Sequence, residues 1–336
     1  MQNVCHLRCP FSRLNDLKQP IISADKNRER KKFFPKRNNF SHQYMKKNIP
    51  IIDLDAQRRK RAIISKIKSI PPLPAAAQEV LSIVAGNPKD IRRLEQVIVH
   101  DPSLSTQLLK VANCAAYYPA TRIDTVQRAI VFLGFAEVRS LALGLSVSSV
   151  FKGKRSASGF DRQKFWEHSI ATAMISRVLA GELEIEETDL YFTCGLLHDL
   201  GRVVMDSCFP EEWKQILELA TEKDSPLLKA ERRLGFPHNV IGAWLVRNWG
   251  IPEIYARVIA SHHLPVNHPK FNSQGGLVQL ADQLSHQMGM GMMKPPKCNK
   301  NALANALGIG AERLALLEEH LLKIGELAEA ITTGFL

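Results

Sequence analysis

The stretch Cys194-Gly-Leu-Leu-His-Asp-Leu-Gly-Arg202 sets two polar side chains into an apolar helical pattern. Leu196 and Leu197 precede His198, and Leu200 follows Asp199. Neighbouring residues on a helix point roughly 100° apart, so both side chains can reach one point beyond the helix surface. An imidazole and a carboxylate at such a point suit a borderline divalent metal ion. The dipeptide alone is weak evidence and favours a structural role, because His-Asp pairs also arise by chance.

Further histidines lie in or beside other apolar helical patterns of the chain. His168 lies early in a long helical pattern, His238 follows a proline, and His262 and His263 are adjacent. Asp282 lies in another largely apolar segment. A single histidine on such a face is usually a core residue with a satisfied hydrogen bond. Several of them alternating with carboxylates are harder to explain in this way, because each buried imidazole needs its own partner.

The order of these residues, His…His-Asp…His…His-His…Asp, resembles that of the HD metal-dependent phosphohydrolase superfamily. The surrounding sequence is similar to the HDOD (HD-related output domain) branch, a regulatory branch found in bacteria. The matching motifs run in order over residues 70 to about 290, which is about two thirds of the chain. They are Ile70-Pro-Pro-Leu-Pro74, Asp101-Pro-Ser-Leu104, Leu109-Lys-Val-Ala-Asn113, Ala129-Ile-Val-Phe-Leu-Gly134, Gly195-Leu-Leu-His-Asp-Leu-Gly201, Trp249-Gly-Ile-Pro252 and His262-His263.

The resemblance implies a metal site with one or two divalent transition metal ions as cofactors. The basic metal set of the superfamily corresponds to His168, His198, Asp199 and Asp282. The extra histidines of members that bind two ions correspond to His238, His262 and His263. In such enzymes one carboxylate bridges the two ions, and an acidified bridging water attacks phosphorus in line. Histidine and carboxylate ligands do not choose clearly between iron, manganese, zinc and nickel.

The chain also departs from the branch that hydrolyses cyclic dinucleotides. That branch carries Gly-Tyr-Pro soon after its His-His pair, where this chain has His262-His-Leu-Pro-Val-Asn-His-Pro269. Its usual Glu before the first ligand is Lys164 here, and its usual Lys after the Asp is Arg202. Arginine suits phosphate, so Arg202 is predicted to bind a phosphate group. Hydrolysis of a cyclic dinucleotide is not expected from this set of residues.

The resemblance implies a regulatory role rather than one settled enzymatic activity. We expect a bacterial signal-transduction output protein that acts mainly through a signalling protein partner; the sequence leaves enzymatic activity open and favours its absence. The alternative is a metal-dependent phosphohydrolase acting on a nucleotide or phosphoester, with a small phosphorylated molecule as its ligand. No apolar run reaches the roughly 18 residues that a membrane-spanning helix needs, and no export signal is recognisable, so a cytoplasmic location is expected.

Apolar residues recur at helical spacing from Ile70 onward and predict an all-α fold. We predict an N-terminal helical bundle of about five helices over residues 70–152, packed on an HD-type helical bundle over 160–290. Asp90 is expected to begin a helix, and caps are expected at Asp101 and Asp124. Helices of the second bundle are predicted over 161–181, 187–206, 210–222, 225–234, 238–249, 252–263 and 274–287. Gly153–Gly159 is the predicted boundary, and residues 300–336 are predicted to form a C-terminal helix.

The positive charge of the chain is concentrated at its N-terminus. Residues 1–70 hold 18 Lys and Arg against 5 Asp and Glu, whereas the remainder holds 27 against 28. The body therefore lacks the electrostatic footprint of a nucleic-acid-binding protein. We predict a disordered basic tail over residues 1–48 and a basic linker helix over 49–69. Contact with nucleic acid or an anionic membrane surface is expected only through this tail, and a solvated tail is favoured over such contact.

Overall fold

The structure is a computed structural model that describes residues 54–85, 90–114, 117, 119–151, 159–291, 294–295, 298–321 and 324–332. Within these ranges the chain forms helices, turns and loops and no β-strand, which confirms the predicted all-α fold. The tail predicted over residues 1–48 lies outside the described residues. All of the predicted boundary except Gly159 lies outside them as well.

A short helix, α1 (Leu54–Lys68), precedes the N-terminal bundle of five helices over residues 75–149. The bundle helices are α2 (Ala75–Ala85), α3 (Ile91–Val99), α4 (Pro102–Ala112), α5 (Val126–Leu133) and α6 (Phe135–Ser149). Asp90 and Asp101 cap α3 and α4 by accepting hydrogen bonds from backbone N–H groups at 3.1 and 3.0 Å. Every residue of α6 from Glu137 to Ser148 is buried, so this helix is the centre of the bundle.

The cap predicted at Asp124 is wrong, because Thr125 caps α5 instead. The Thr125 hydroxyl accepts a hydrogen bond from the Arg128 backbone N–H at 3.1 Å, and Thr125 has the extended backbone of an N-cap residue. The Asp124 carboxylate accepts a hydrogen bond from the Arg128 side chain at 2.8 Å. Aspartate and threonine both cap helices, so the backbone conformation decides between two adjacent candidates.

The helices α5 and α6 meet at Gly134, where the chain bends by 120°. Gly134 has φ of 91°, a conformation that side chains larger than hydrogen disfavour. None of the described helices is by itself long and apolar enough to cross a membrane. Taken together, the bent α5–α6 pair has the length and apolar composition of a membrane span. Helix α6, however, lies inside the protein core.

The second bundle surrounds a long central helix, α7, which is buried along most of its length. Its helices are α7 (Arg162–Glu182), α8 (Thr188–Leu197), α9 (Leu200–Cys208), α10 (Pro210–Glu222), α11 (Leu227–Leu234), α12 (His238–Asn248), α13 (Glu253–Ser261) and α14 (Ser273–Gln287). Helix α7 packs against α8 and α14, α9 packs against α12, and α12 packs against α13. The predicted helix over 187–206 is therefore two helices, and the one over 252–263 ends at Ser261.

The break between α8 and α9 and the end of α13 both place a pair of polar residues at a helix end. His198 and Asp199 lie in the turn between α8 and α9, and His262 and His263 follow the last residue of α13. Asp199 has φ of −99° and ψ of 7°, which lies outside the helical region and ends the regular 100° rotation between neighbours. In each pair, both side chains can therefore point toward the same place, because the regular helix ends at the pair.

Two glycines bring the helices of this region unusually close together. A Cβ atom on Gly201 would lie 2.0 Å from the carbonyl oxygen of His238, at the start of α12. A Cβ atom on Gly195 would lie 2.7 Å from the Cα atom of Ala173 on α7. Real Cβ atoms do not approach backbone atoms so closely, so only glycine allows these contacts. The α8–α9 segment is thereby held against both α7 and α12.

Segments on both sides of the two bundles pack back onto them. The basic helix α1 lies against α12, and the Trp249 ring donates a hydrogen bond to the carbonyl oxygen of Pro71 at 3.0 Å. Where one C-terminal helix was predicted over residues 300–336, the structure has α15 (Lys300–Ala306), α16 (Ala311–Leu321) and α17 (Ile324–Thr332). Gly308, with φ of 82°, ends α15, and α17 packs on α7. Residues 322–323 and 333–336 lie outside the described residues.

Charged side chains join the two bundles. Arg177 on α7 donates a hydrogen bond to the Glu137 carboxylate on α6, which is 3% exposed. Arg139, also on α6, donates a hydrogen bond to Asp189 on α8 at 2.5 Å. The Glu137 carboxylate and the Arg139 guanidinium are buried, whereas their partners are partly exposed, so the buried charge of each pair depends on its partner.

Replacing Glu137 by alanine is expected to lower the free energy of unfolding by about 3 kcal/mol or more, because the Arg177 charge loses its buried partner. Urea unfolding measures this change. The matched control is Glu79→Ala, which breaks the exposed pair with Arg93 and should lower stability by less than about 1 kcal/mol. Equal losses in the two variants would contradict a specific role of the buried pair.

Candidate metal centre

The residues predicted as metal ligands come from five places in the second bundle. His168 lies on α7, Asp282 lies on α14, and His238 is the first residue of α12. The two pairs lie at the helix ends described above. Each of the seven predicted ligands is at most 6% exposed: His168, His198, Asp199, His238, His262, His263 and Asp282. The structure thus brings all of the predicted ligands into one buried cluster.

One oxygen of Asp199 lies at the middle of this cluster. Asp199 Oδ1 is 3.0 Å from His238 Nε2, 3.5 Å from His198 Nε2 and 3.8 Å from His262 Nε2. The oxygen is buried and receives no hydrogen bond of acceptable geometry. A buried carboxylate oxygen without a hydrogen bond is unfavourable, and a cation among the imidazoles, either a metal ion or the protonated ring of His238 at 3.0 Å, would stabilise it.

The opposite ring nitrogens fix which tautomer the histidines adopt. Nδ1 of His198 lies 2.6 Å from the Gly195 carbonyl oxygen, and Nδ1 of His262 lies 2.6 Å from the Ile259 carbonyl oxygen. A carbonyl oxygen only accepts hydrogen bonds, so each Nδ1 must carry the proton and donate it. In the neutral ring Nε2 then has a free lone pair, as in histidines that bind metals.

The Nε2 atoms of His238, His262 and His263 lie close together, at distances that suit either hydrogen bonds between the rings or ligands of one ion. Those of His238 and His262 are 3.3 Å apart, and those of His238 and His263 are 3.1 Å apart. A tetrahedral ion with Zn–N bonds of about 2.0–2.1 Å separates its ligands by roughly 3.3 Å. Four ligand atoms from Asp199, His238, His262 and His263 lie within 4.8 Å of one another. This buried cluster could hold a metal ion.

A buried glutamate that the sequence analysis missed holds two members of the centre. Glu231 on α11 is 0% exposed, and its carboxylate contacts Nδ1 of His238 and accepts the His238 backbone N–H at 3.1 Å. It also accepts a hydrogen bond from Nε of Arg202 at 3.1 Å. Burial opposes ionisation of Glu231, but His238 and Arg202 outweigh it and lower its pKa. Glu231 follows Leu227 and Leu228 by four and three residues and shares their helix face, so this spacing could have identified it as a buried glutamate.

The guanidinium of Arg202 is held between two carboxylates. Besides its bond to Glu231, it donates a hydrogen bond to Asp199 Oδ2. Burial opposes ionisation of Asp199, but the charge of Arg202 and the neighbouring histidines keep the pKa of this carboxyl well below its usual range. Arg202 is itself only 6% exposed. The group predicted to bind phosphate therefore neutralises buried carboxylates in this structure.

A second group of ligand atoms surrounds Asp282. Its Oδ1 lies 3.2 Å from His168 Nε2 and 3.5 Å from Nε2 of His286, a residue that the sequence analysis missed. His286 follows Asp282 by four residues on α14, so the same-face spacing could have identified it. Ser285 Oγ lies 3.0 Å from His168 Nδ1 and orients that ring. Together His168, Asp282 and His286 form another set that could hold an ion.

The pKa shifts of His198, His286 and Asp282 favour the forms that bind metals. Burial lowers the pKa of His238, but the charges of Glu231 and Asp199 outweigh burial and raise it, so an ion must compete with a proton there. Burial lowers the pKa of His198 to about 3 and that of His286 to about 4, against the opposing charges of Asp199 and Asp282. Burial opposes ionisation of Asp282, but its hydrogen bond with His168 and the nearby His286 hold its pKa well below the usual range. Neutral imidazoles and ionised carboxylates are the forms that bind metals.

Comparison with known proteins gives the same family as the motifs. The HDOD domain family matches residues 70–265 of the chain. An uncharacterized protein of Treponema pallidum (strain Nichols) is 27% identical over 217 residues, which are 63% of this chain and 41% of that protein. The chain thus spans about two fifths of the length of this curated relative.

Solved structures show the same fold. A candidate phosphohydrolase from Shewanella amazonensis SB2B is 25% identical, with a TM-score of 0.66 over 82% of this chain and 98% of that one. A candidate signal transduction protein from Marinobacter aquaeolei VT8 is 24% identical, with a TM-score of 0.70 over 84% of this chain and 66% of that one. Since the HDOD match covers more than half of the chain and includes the cluster from His168 to His263, the chain belongs to the HDOD domain family.

Proposed function

We propose that the chain is a regulatory output protein of bacterial signal transduction, located in the cytoplasm, that acts by contact with a signalling partner protein. In this proposal its buried centre binds a divalent transition metal ion and stabilises the fold that the partner recognises. The solved relative from Marinobacter aquaeolei carries a signal-transduction name, which agrees with such a role.

The proposal depends mainly on the way in which Arg202 is bound to two carboxylates. In phosphoryl transfer, a metal ion or a free arginine or lysine stabilises the charge that develops on the phosphate oxygens. Here the guanidinium is already bound to Asp199 and Glu231, and all three residues are at most 6% exposed. A phosphoester would have to displace two buried carboxylates to reach it. The arrangement supports a centre that binds metal without turnover.

The residues that would hold the ion are Asp199, through its unpartnered Oδ1, and His238, His262 and His263. When bound, such an ion supplies Lewis acidity and joins residues of α12 to the α8–α9 and α13–α14 turns. Glu231 would keep Nδ1 of His238 protonated and so leave Nε2 available to the ion. The ligand types leave iron, manganese, zinc and nickel open.

A second candidate function is a metal-dependent phosphohydrolase acting on a nucleotide or phosphoester. The specific observation in its favour is the likeness to the Shewanella protein, which is 25% identical and carries a phosphohydrolase name. This function requires the centre to open and Arg202 to leave at least one of its carboxylates.

A turnover screen separates the two functions. The full chain without a His-tag is loaded with iron, manganese or zinc and incubated with nucleotides, cyclic dinucleotides and a general phosphodiesterase substrate. We expect no metal-dependent release of product above the rate of the Asp199→Ala variant. Turnover that requires metal and is lost in that variant would overturn the regulatory proposal in favour of the enzyme.

A further inference from the structure

A basic surface lies where helix α1 meets the turn between α11 and α12. We infer that this surface is the docking site for an acidic segment of the signalling partner, in which an apolar side chain lies between carboxylates. The inference rests on the proposed regulatory function and names the chemistry of the partner. Six exposed cationic residues form the basic surface: Arg58, Arg59, Lys60 and Arg61 on α1, and Arg232 and Arg233 in the last turn of α11.

The apolar face of α1 fixes this helix against the second bundle. Ile63 and Ile67 are four residues apart and are each 2% exposed, and α1 packs on α12. Lys66 Nζ donates a hydrogen bond to the Cys208 carbonyl oxygen at 2.5 Å. Asn248 Nδ2 donates a hydrogen bond to the Ile67 carbonyl oxygen at 3.5 Å. Because α1 is held through these residues, the cationic side chains that precede Ile63 are left on the solvent side.

The end of α11 adds its own positive charge to that of α1. A Cβ atom on Gly235 would lie 3.0 Å from Arg59 Nε, so the Arg59 side chain lies against the C-terminal end of α11. The helix dipole favours a cation at this end. Arg232 and Arg233 precede Gly235 by three and two residues, so the charges of both helices are concentrated in one place. A partner with carboxylates would relieve the repulsion between them.

A small cavity opens between α1 and α12 beside these charges. Its volume is about 160 Å³, and a cavity of roughly 150 Å³ can hold benzene, so one phenylalanine or leucine side chain fits here. Apolar and cationic side chains share its lining, among them Ile63, Val240, Ile241, Trp244, Arg59 and Lys60. An apolar anchor inside the cavity and carboxylates at its rim would satisfy both kinds of lining.

The cavity favours an acidic protein segment over other occupants. Single-stranded nucleic acid stacks its bases on open aromatic faces, but Lys60 lies over the Trp244 ring, 5.8 Å from its centroid. A phosphodiester backbone also carries no apolar side chain that could enter the cavity. Residues 1–48 of the chain are themselves basic, so repulsion between like charges disfavours them as the occupant.

The inference is tested with the full, untagged chain and a fluorescein-labelled synthetic peptide that has one phenylalanine between two runs of glutamate. Fluorescence anisotropy at low salt measures the dissociation constant. We expect saturable binding that weakens at least about tenfold in the Arg232→Glu, Arg233→Glu double variant, because two attractive charges become repulsive. A peptide with serine in place of the phenylalanine should bind about tenfold more weakly, since it loses the burial of an apolar side chain.

The matched control is the Arg92→Glu, Lys110→Glu double variant, which reverses two exposed charges on the N-terminal bundle. This control should bind the peptide as the wild type does. The basic residues 1–48 are present in every variant, so the difference between the two double variants reports on the basic surface alone. If the charge-reversed α11 variant does not fold, Arg232→Gln, Arg233→Gln gives the same comparison, with a loss of about threefold expected from two removed charges.

Three outcomes would overturn the inference: no saturable binding, equal weakening in both double variants, or equal affinity for the serine peptide. Displacement of the peptide by lower concentrations of single-stranded DNA would assign the surface to nucleic acid instead. The same result with vesicles of phosphatidylglycerol would assign it to a membrane. Metal-dependent turnover overturns the regulatory proposal itself, whereas failure of the peptide to bind without turnover removes only the acidic partner.

Discussion

Replacing Asp199 by alanine is expected to lower the free energy of unfolding by at least about 3 kcal/mol, even in the presence of a chelator. Arg202 would lose a buried partner, and breaking such a pair is strongly destabilising. Without chelator the difference from the wild type should grow, because an ion present at 100 times its dissociation constant adds about 2.7 kcal/mol to the stability of the native protein. Thermal and urea unfolding with and without chelator measure both contributions.

The control for this prediction is Asp224→Ala, because Asp224 forms an exposed ion pair with Lys294. That variant should match the wild type in its response to chelator. A hydrogen-bonded centre without metal would behave differently, since chelator would then leave the unfolding of every variant unchanged. Metal content below about 0.2 equivalents in the reloaded wild type would contradict the metal-binding proposal, because a real site fills when the concentration of the ion exceeds its dissociation constant.

The helices of this chain were predictable because their apolar residues recur at helical spacing. The caps at Asp90 and Asp101 were also predictable, since the residue types that accept hydrogen bonds at an N-terminus are few. The break at His198 and Asp199 was not, because Leu196, Leu197 and Leu200 continue the helical pattern across it. The break involves Gly201, whose contact with α12 connects residues far apart in the sequence.

The candidate site was predictable in its ligands and not in the residues that orient them. The ligand order could be compared with that of a known superfamily. Glu231 has no counterpart in that order, and its only local signal is that it shares a helix face with Leu227 and Leu228 while the other charged residues of the helix are exposed. Its burial depends on how α11 packs near α12. His286 differs, because its spacing from Asp282 places both on one helix face.

Gly201 is the point at which α9 lies against α12. Replacing it by alanine is expected to lower the free energy of unfolding by about 3 kcal/mol or more, at the upper end of overpacking effects. The new Cβ atom would lie 2.0 Å from the His238 carbonyl oxygen and 2.9 Å from the Gly242 backbone nitrogen. Backbone atoms cannot rotate away as side chains can, so the two helices must separate. Urea unfolding measures the loss.

The same separation should act on the metal centre, because His238 is the residue that the added atom displaces. We expect Gly201→Ala to lose the ion at Asp199 although every ligand is still present. Gly181→Ala is the matched control, since a Cβ atom there meets nothing within 4 Å and alanine favours the helix by up to about 1 kcal/mol. If both glycine variants kept wild-type stability and Zn²⁺ content, the close contact between α9 and α12 would not be what positions His238.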